Sequence, residues 1–227
     1  MRHDREPVVT IDGPAGAGKG TVARVLAERL GFRLLDTGAM YRAVALSVMR
    51  AGVAADDPDV LRRHLDGIEV TVDDDNRVLL DGEDVSRAIR TQEVGQLTST
   101  LSMLKAVRDK VTPFQRRAAS GGGVVLEGRD TGTVVCPDAE MKFFLTASLD
   151  TRARRRYLEV TAGGDAVNFE QVRMELAARD AQDANRAVAP LRKAPDAIEV
   201  DTTDLTVDEV VERMLQTVGE RRCCTRS

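Results

Sequence analysis

The chain contains no Trp and only two Tyr among 227 residues. That scarcity leaves no aromatic platform on which nucleic-acid bases would stack. Charge gives a nucleic acid no better footing. Lys and Arg number 33 against 37 Asp and Glu, a formal net charge of −4, so no broad phosphate-binding surface is expected. Three cysteines, Cys136, Cys223 and Cys224, are too few for a disulfide framework. The adjacent pair lies in "ERRCCTRS", whose polar composition predicts a disordered end rather than a redox or metal site. No apolar run approaches the ~18 residues of a membrane span. No signal peptide precedes the first apolar run, and no dimerisation motif is evident. The expectation is a reduced cytoplasmic setting, a monomer, and neither a membrane nor a nucleic-acid partner.

What remains is an ordinary globular composition, 42% apolar and 31% charged, on a length that suits one sizeable domain. "PVVTID" (7–12) reads as a buried strand and "GTVARVLAERLG" (20–31) as a helix, with Gly31 as its stop. "FRLLD" (32–36) reads as a second strand, after which Thr37 caps a further helix. Strand, Gly-rich turn, helix, strand opens an α/β unit. From Asp66 to Arg90 the pattern changes. Ile68, Val70 and Val72 alternate with polar residues, "DDDN" (73–76) and "DG" (81–82) mark turns, and a small antiparallel β insert is expected. Residues 91–120 read as largely helical with a break near Pro113. Strands follow at 124–128, 141–146 and 197–201. Helices are expected at about 150–161, 168–188 and 206–219. Five parallel strands therefore emerge, and an open α/β sheet binds ligands at their carboxyl ends.

Polar motifs sit at three of those ends. The first is "TIDGPAGAGKGT" (10–21). Gly-rich backbone with a Lys and a helix N-terminus behind it makes a phosphate cradle. Gly13, Gly18 and Lys19 fit the P-loop string G-x-x-x-x-G-K-[ST], but Gly20 stands where the hydroxyl belongs and Thr21 comes one residue later. The second is "LLDTGAMYR" (34–42), where Thr37 and Tyr41 share a helical face ahead of Arg42. It fits an acceptor site, and it equally fits an N-cap Thr with a surface Arg. The third is "EGRDTGTVVCPDA" (127–139). Arg129 suits a bidentate phosphate contact, and Asp130 suits ribose hydroxyls or orients the Arg; an ordinary loop salt bridge explains the pair as well. Further along, "TRARRR" (151–156) puts Arg152, Arg155 and Arg156 on one helical face, open to a phosphate-binding or a solvated reading. Arg179, Asp183 and Arg186 are spaced i, i+4, i+7, one stripe on one helix, as a lid over phosphates would need.

Taken together, "IDGPAGAGKGT", "LLDTGAMYR", "DGEDVSRAIRTQEV", "VLEGRDTGTVVCPDA", "FLTAS…RARRR" and "RD…DANRAVAPL" resemble bacterial cytidylate kinases over about residues 7–202. G-K-G-T is a normal P-loop variant among nucleoside monophosphate kinases, which accounts for the displaced Thr. The resemblance implies a single P-loop kinase domain over 1–227, with an α/β core of five parallel strands flanked by helices. It implies an acceptor-binding β insert at about 66–90 and a short lid at about 149–170, broken at "AGGD". It implies transfer of the ATP γ-phosphate to CMP or dCMP, with Mg²⁺. Gly13, Pro14, Ala15, Gly16, Ala17, Gly18, Lys19, Gly20 and Thr21 would hold ATP, and Thr21 the Mg²⁺ or its water shell. Thr37, Arg42, Ser99, Arg108, Arg129, Asp130, Arg179, Asp183 and Arg186 would hold the acceptor. Lys19, Arg129, Arg179 and Arg186 would stabilise the transferring group, with Arg155 and Arg156 joining from the lid. Cys136 stands where Phe is common in these kinases, a packing change.

Rival readings remain open at this point. UMP or a small alcohol is another possible acceptor. A guanine-reading switch lacks its N-K-x-D signature here, and an RNA surface at 152–156 runs against the acidic total.

Overall fold

The computed structural model describes residues 5–73, 75–162 and 167–224. In chain order its elements are β1 (Val8–Asp12), α1 (Lys19–Leu30), β2 (Arg33–Asp36), α2 (Thr37–Ala51), α3 (Pro58–Gly67), β3 (Val70–Val72), β4 (Val78–Leu80) and β5 (Glu83–Asp84). Then come α4 (Gln92–Leu101), α5 (Lys105–Ala119), β6 (Val124–Gly128), β7 (Met141–Thr146), α6 (Leu149–Ala162), α7 (Phe169–Asn185), β8 (Ile198–Asp201) and α8 (Val207–Cys224).

Every residue of β1 is buried. A strand covered on both faces needs apolar residues at both parities, as a parallel sheet between helical layers demands. The sheet has strand order β2-β6-β1-β7-β8, and all its pairings are parallel. Alternation divides its side chains. Val9, Ile11, Val125, Phe143 and Leu145 face α1 and α8, which contribute Leu26, Val211 and Met214. Val8, Val124 and Leu126 face α2 and α5, which contribute Met40, Val44, Val107 and Val111. The α/β architecture of five parallel strands flanked by helices is therefore the one expected, with strand bounds within a residue of those read from the sequence.

The insert is a separate antiparallel sheet, β3-β4-β5. Asp81 and Gly82 both have positive φ, 51° and 84°, the geometry of a tight two-residue hairpin turn. Val70, Val78, Leu80 and Ile89 join the same core as α2, so the insert is built onto the main domain. Asp74, in the expected "DDDN" turn, lies outside the described residues, as does Gly163–Asp165 of the expected "AGGD" break.

Four local expectations need correction. The cap of α2 is Asp36, whose Oδ1 accepts from the Ala39 N–H at 2.9 Å. Thr37 is drawn elsewhere, donating its hydroxyl to the Glu127 carbonyl at 2.6 Å. Pro113 lies inside α5; the break falls at 102–104 instead. Pro113 and Asp109, the residue four before it, are both exposed, so the carbonyl that loses its partner faces water. Helix α7 stops at Asn185, and Arg186 is extended at φ −60°, ψ 140°, because the chain turns back so that the Leu191 N–H reaches the Asp183 carbonyl at 2.8 Å. The stripe of Arg179, Asp183 and Arg186 thus straddles a helix end. Finally, α8 continues through Cys224, so the backbone at Cys223 and Cys224 is helical rather than a disordered tail. Cys136 is half-buried and packs on the α2 core, as a packing change would.

Two glycines of the same loop test the backbone account. A Cβ on Gly13, at φ +150°, would sit 2.0 Å from the Leu145 carbonyl oxygen, whereas one on Gly20 meets nothing within 4 Å. Gly13→Ala should lower the unfolding free energy by at least ~2 kcal/mol. Gly20→Ala should leave it unchanged or raise it by up to ~1 kcal/mol. Urea denaturation of both variants measures the difference; equal effects would refute the packing described.

Candidate active site

Strands β1, β2 and β6 end side by side, and the three polar motifs follow them. Between these strand ends, α7 and the start of α6 lies a cleft of about 750 Å³. Its walls include Ala15, Gly16, Ala17, Gly18, Lys19 and Thr21 on one side. Thr37, Arg42, Ser99, Arg108, Arg129, Asp130, Arg179, Asp183 and Arg186 line the rest, and Arg155 and Arg156 its rim. Gly13, Pro14 and Gly20 lie outside that lining. Gly13 is buried against β7, and Gly20 is exposed beside a smaller cavity of about 270 Å³ under the insert.

The Gly loop is held by its carbonyls. That of Ala15 accepts from Arg152 at 3.0 Å, and that of Ala17 from the Thr202 hydroxyl at 3.2 Å. In a trans peptide the N–H points opposite to the C=O, so the N–H groups of Gly16 and Gly18 face the other way. Gly18 caps α1 in the left-handed region, at φ 86°, which places the positive end of the helix at the loop. Lys19 is buried at 5% exposure, with its Nζ 2.8 Å from the Pro14 carbonyl. Burial, helped by Arg129 and Arg179, depresses its pKa to about 7, against the pull of Glu127 and Asp12.

The opposite wall is an alternation of arginines and aspartates. Asp130 is buried and accepts from Arg108 through one oxygen and from Arg186, at 3.1 Å, through the other. Asp183 accepts from Arg129 Nε at 2.9 Å, and its other oxygen is 3.9 Å from Arg186. The Arg108 guanidinium stands 5.4 Å from the centre of the Tyr41 ring. Arg179 differs from these: its Nε is buried and has no hydrogen-bond partner among the described residues. Burial and the Arg129 charge both lower its pKa.

The remaining expected residues are placed as follows. The Ser99 hydroxyl lies 3.4 Å from Gln182 Oε1. Arg42 donates to the Ile89 carbonyl at 3.1 Å. Arg155 is spent on Thr202, through its hydroxyl at 3.0 Å and its carbonyl at 2.6 Å. Arg156 pairs with Glu159 at 2.9 Å and stays half exposed.

Several contributors escaped the sequence reading. Asp12, the last residue of β1, is 4% exposed. It accepts from the Thr131 N–H, the Thr131 hydroxyl and the Gly132 N–H, each at 2.8 Å. It thereby fixes the turn that follows Arg129 and Asp130 to the strand that carries the Gly loop. Glu127 and Asp36 are register partners on β6 and β2. Burial, with Asp36 beside it, raises the Glu127 pKa to about 7, and Lys19 pulls it back. Arg90, just after the insert, pairs with Asp36 at 3.1 Å. Arg152 was read as one of three equivalent arginines, yet it is buried in the wall. Asp12 and Glu127 do stand at apolar strand ends, which is the only trace of them in the sequence.

Comparison with known proteins agrees with this geometry. Residues 9–220 match the family described as cytidylate kinase. A cytidylate kinase of Geobacter sp. (strain M21) is 52% identical over 217 residues, covering 94% of this chain and 93% of its own. One from Vibrio cholerae serotype O1 is 49% identical, covering 95% and 97%. A shikimate kinase structure from Bacteroides thetaiotaomicron shares the fold, with TM-score 0.51 at 11% identity over 94% of this chain and 98% of its own. A Gly loop facing an arginine–aspartate wall, together with half-identical relatives over nearly the whole length, places this chain in the cytidylate kinase family.

Proposed function

We propose that this chain transfers the γ-phosphate of ATP to CMP or dCMP, giving ADP and CDP or dCDP. The observation that carries the reading is a cleft of about 750 Å³ in which an anion-cradling loop faces an arginine cluster. An oxygen of the acceptor phosphate attacks the γ-phosphorus, and the bond to the β–γ bridging oxygen breaks. That oxygen is already anionic, so no side-chain base is required, and the catalytic work is positioning and charge stabilisation. Lys19 reaches the β- and γ-phosphates from the loop. Arg129, Arg179 and Arg186 offset the repulsion between two phosphates brought together. Arg179, which lines the same cleft, would give its terminal N–H groups to an acceptor oxygen. Of the lid pair, Arg156 has only an exposed pair with Glu159 to give up on swinging inward, whereas Arg155 is committed to Thr202.

The nucleoside lies toward the deep end. Thr37 gives its proton to the Glu127 carbonyl, so its oxygen can only accept, which suits an amino group such as that of cytosine. Ser99, Arg108 and Arg42 supply donors around it. Asp130, with one guanidinium on each oxygen, orients Arg108 and Arg186, the second of the two roles its sequence position suggests, and keeps lone pairs for a ribose hydroxyl. Asp183 keeps lone pairs for a ribose hydroxyl.

Magnesium suits the oxygen groups near Lys19. The Thr21 hydroxyl and the Asp36 and Glu127 carboxylates would hold it, since Mg²⁺ is bound by one or two carboxylates plus phosphates and waters. It would neutralise charge on the transferring phosphate. We take the chain to act as a monomer, in the cytoplasm, on these small-molecule substrates.

A coupled ADP-release assay with CMP, dCMP, UMP, AMP, GMP and no acceptor tests the activity. Rapid turnover confined to CMP and dCMP is expected. Preference for UMP or AMP, or equal release in every tube, would overturn it. A second expectation concerns Asp12. In Asp12→Asn the amide NH₂ meets the Gly132 N–H in one orientation and the Thr131 N–H in the other, so one backbone donor loses its partner either way. Unfolding free energy should fall by about 1–3 kcal/mol, and the Kd for CMP should rise. A variant matching wild type in denaturation and in CMP titration would show that Asp12 is not the link between the two loops.

A further inference from the structure

Arg152 points out of the cleft and into its wall. Its Nε donates to the Ala147 carbonyl at 3.0 Å. One terminal nitrogen serves two partners, the Ala15 carbonyl of the Gly loop at 3.0 Å and Asp180 of α7 at 2.6 Å. The side chain is 8% exposed. Asp180 directly follows Arg179. Its Oδ1 is buried without a partner among the described residues, so the ion pair rests on Oδ2.

No slack separates these parts. A Cβ on Gly16 would come within 3.0 Å of the Arg152 Cβ and 3.1 Å of its carbonyl oxygen. Ala15 itself packs with Ala153, Val172 and Leu176 in a small core shared by the loop, α6 and α7. Moving α7 without the loop would therefore strip a buried guanidinium of one of its three partners. Leaving such a group unsatisfied is strongly unfavourable.

We propose that Arg152 is a positioning residue that joins the Gly loop to α7, so that ATP on the loop and CMP on Arg179 strengthen each other's binding. The inference rests on the assignment of those two ligands made above. A ligand that orders one end of the strap selects the matching placement of the other. Linkage requires the effect to be reciprocal. Arg155, one turn along α6, ties the same helix to Thr202, which holds the Ala17 carbonyl. The loop is thus gripped twice from α6, and of these two arginines Arg152 is the one that also reaches α7.

The test is a binding cycle by calorimetry on the full chain. CMP is titrated with and without a saturating non-hydrolysable ATP analogue and Mg²⁺, and the analogue with and without CMP. Wild type, Arg152→Lys and Asp180→Asn are compared. In the wild type each ligand should tighten the other by about fivefold or more. In both variants that factor should fall toward one, while CMP alone binds close to wild-type strength and circular dichroism is unchanged. A purely structural arginine would lower the melting temperature and leave the factor intact, which overturns the proposal. So would a wild type that forms both binary complexes with no coupling. Absence of a binary complex would instead overturn the ligand assignment, and the strap with it. Asp180, 24% exposed, is the milder site and decides the matter should Arg152→Lys not fold.

Discussion

The structure depends on holding like charges together. Lys19, Arg108, Arg129, Arg179 and Arg186 line one cleft. Two unit charges ~5 Å apart repel by about 3 kcal/mol at the effective dielectric of a protein site. Without counter-charges the wall would splay. Asp130 and Asp183 prevent this, each set between two guanidiniums. They hold the arginines in place while leaving donors to spare. A phosphate entering such a site meets groups already oriented, and little reorganisation is needed when charge develops on the transferring group.

The scaffold serves that arrangement at one remove. Asp12 ties the turn after Asp130 to β1, so the acceptor wall and the Gly loop share one anchor. Arg152 ties the loop to α7. Arg90 ties the segment after the insert to Asp36, the cap of α2. Asp12 and Arg152 are buried, Arg90 is exposed on a partly buried Asp36, and each tie joins elements far apart in the chain. The apolar layers on the two sheet faces supply stability; these polar ties set where the strand-end motifs stand relative to one another.

The sequence made some of this legible and not the rest, for a physical reason. The Gly loop, the five strands and the hairpin at Asp81–Gly82 are local: backbone sterics and periodicity write them into short strings. The arginines and aspartates of the wall were legible as motifs, and through the resemblance they carry. Their pairing was not. Nothing in "IDG" tells that Asp12 meets Thr131, 119 residues away. Nothing in "RARRR" tells that Arg152 turns inward while Arg156 stays at the surface. The misread helix boundaries share that cause. Asp36 and Thr37 are both good caps, and a neighbouring strand's carbonyl decided between them. Asn185 ends α7 because Asp183 and Leu191 close a turn, a contact invisible to helical spacing.

The central claim is that the arginine wall is a preformed receptor for the acceptor's phosphate. Titrating the wild-type protein with CMP and, separately, with cytidine tests it most directly, since the two ligands differ by that group alone. Several charge-assisted hydrogen bonds to one phosphate predict that CMP binds at least about a hundredfold more tightly. Equal affinity for CMP and cytidine would contradict the claim and leave the arginines a structural network with no phosphate to meet.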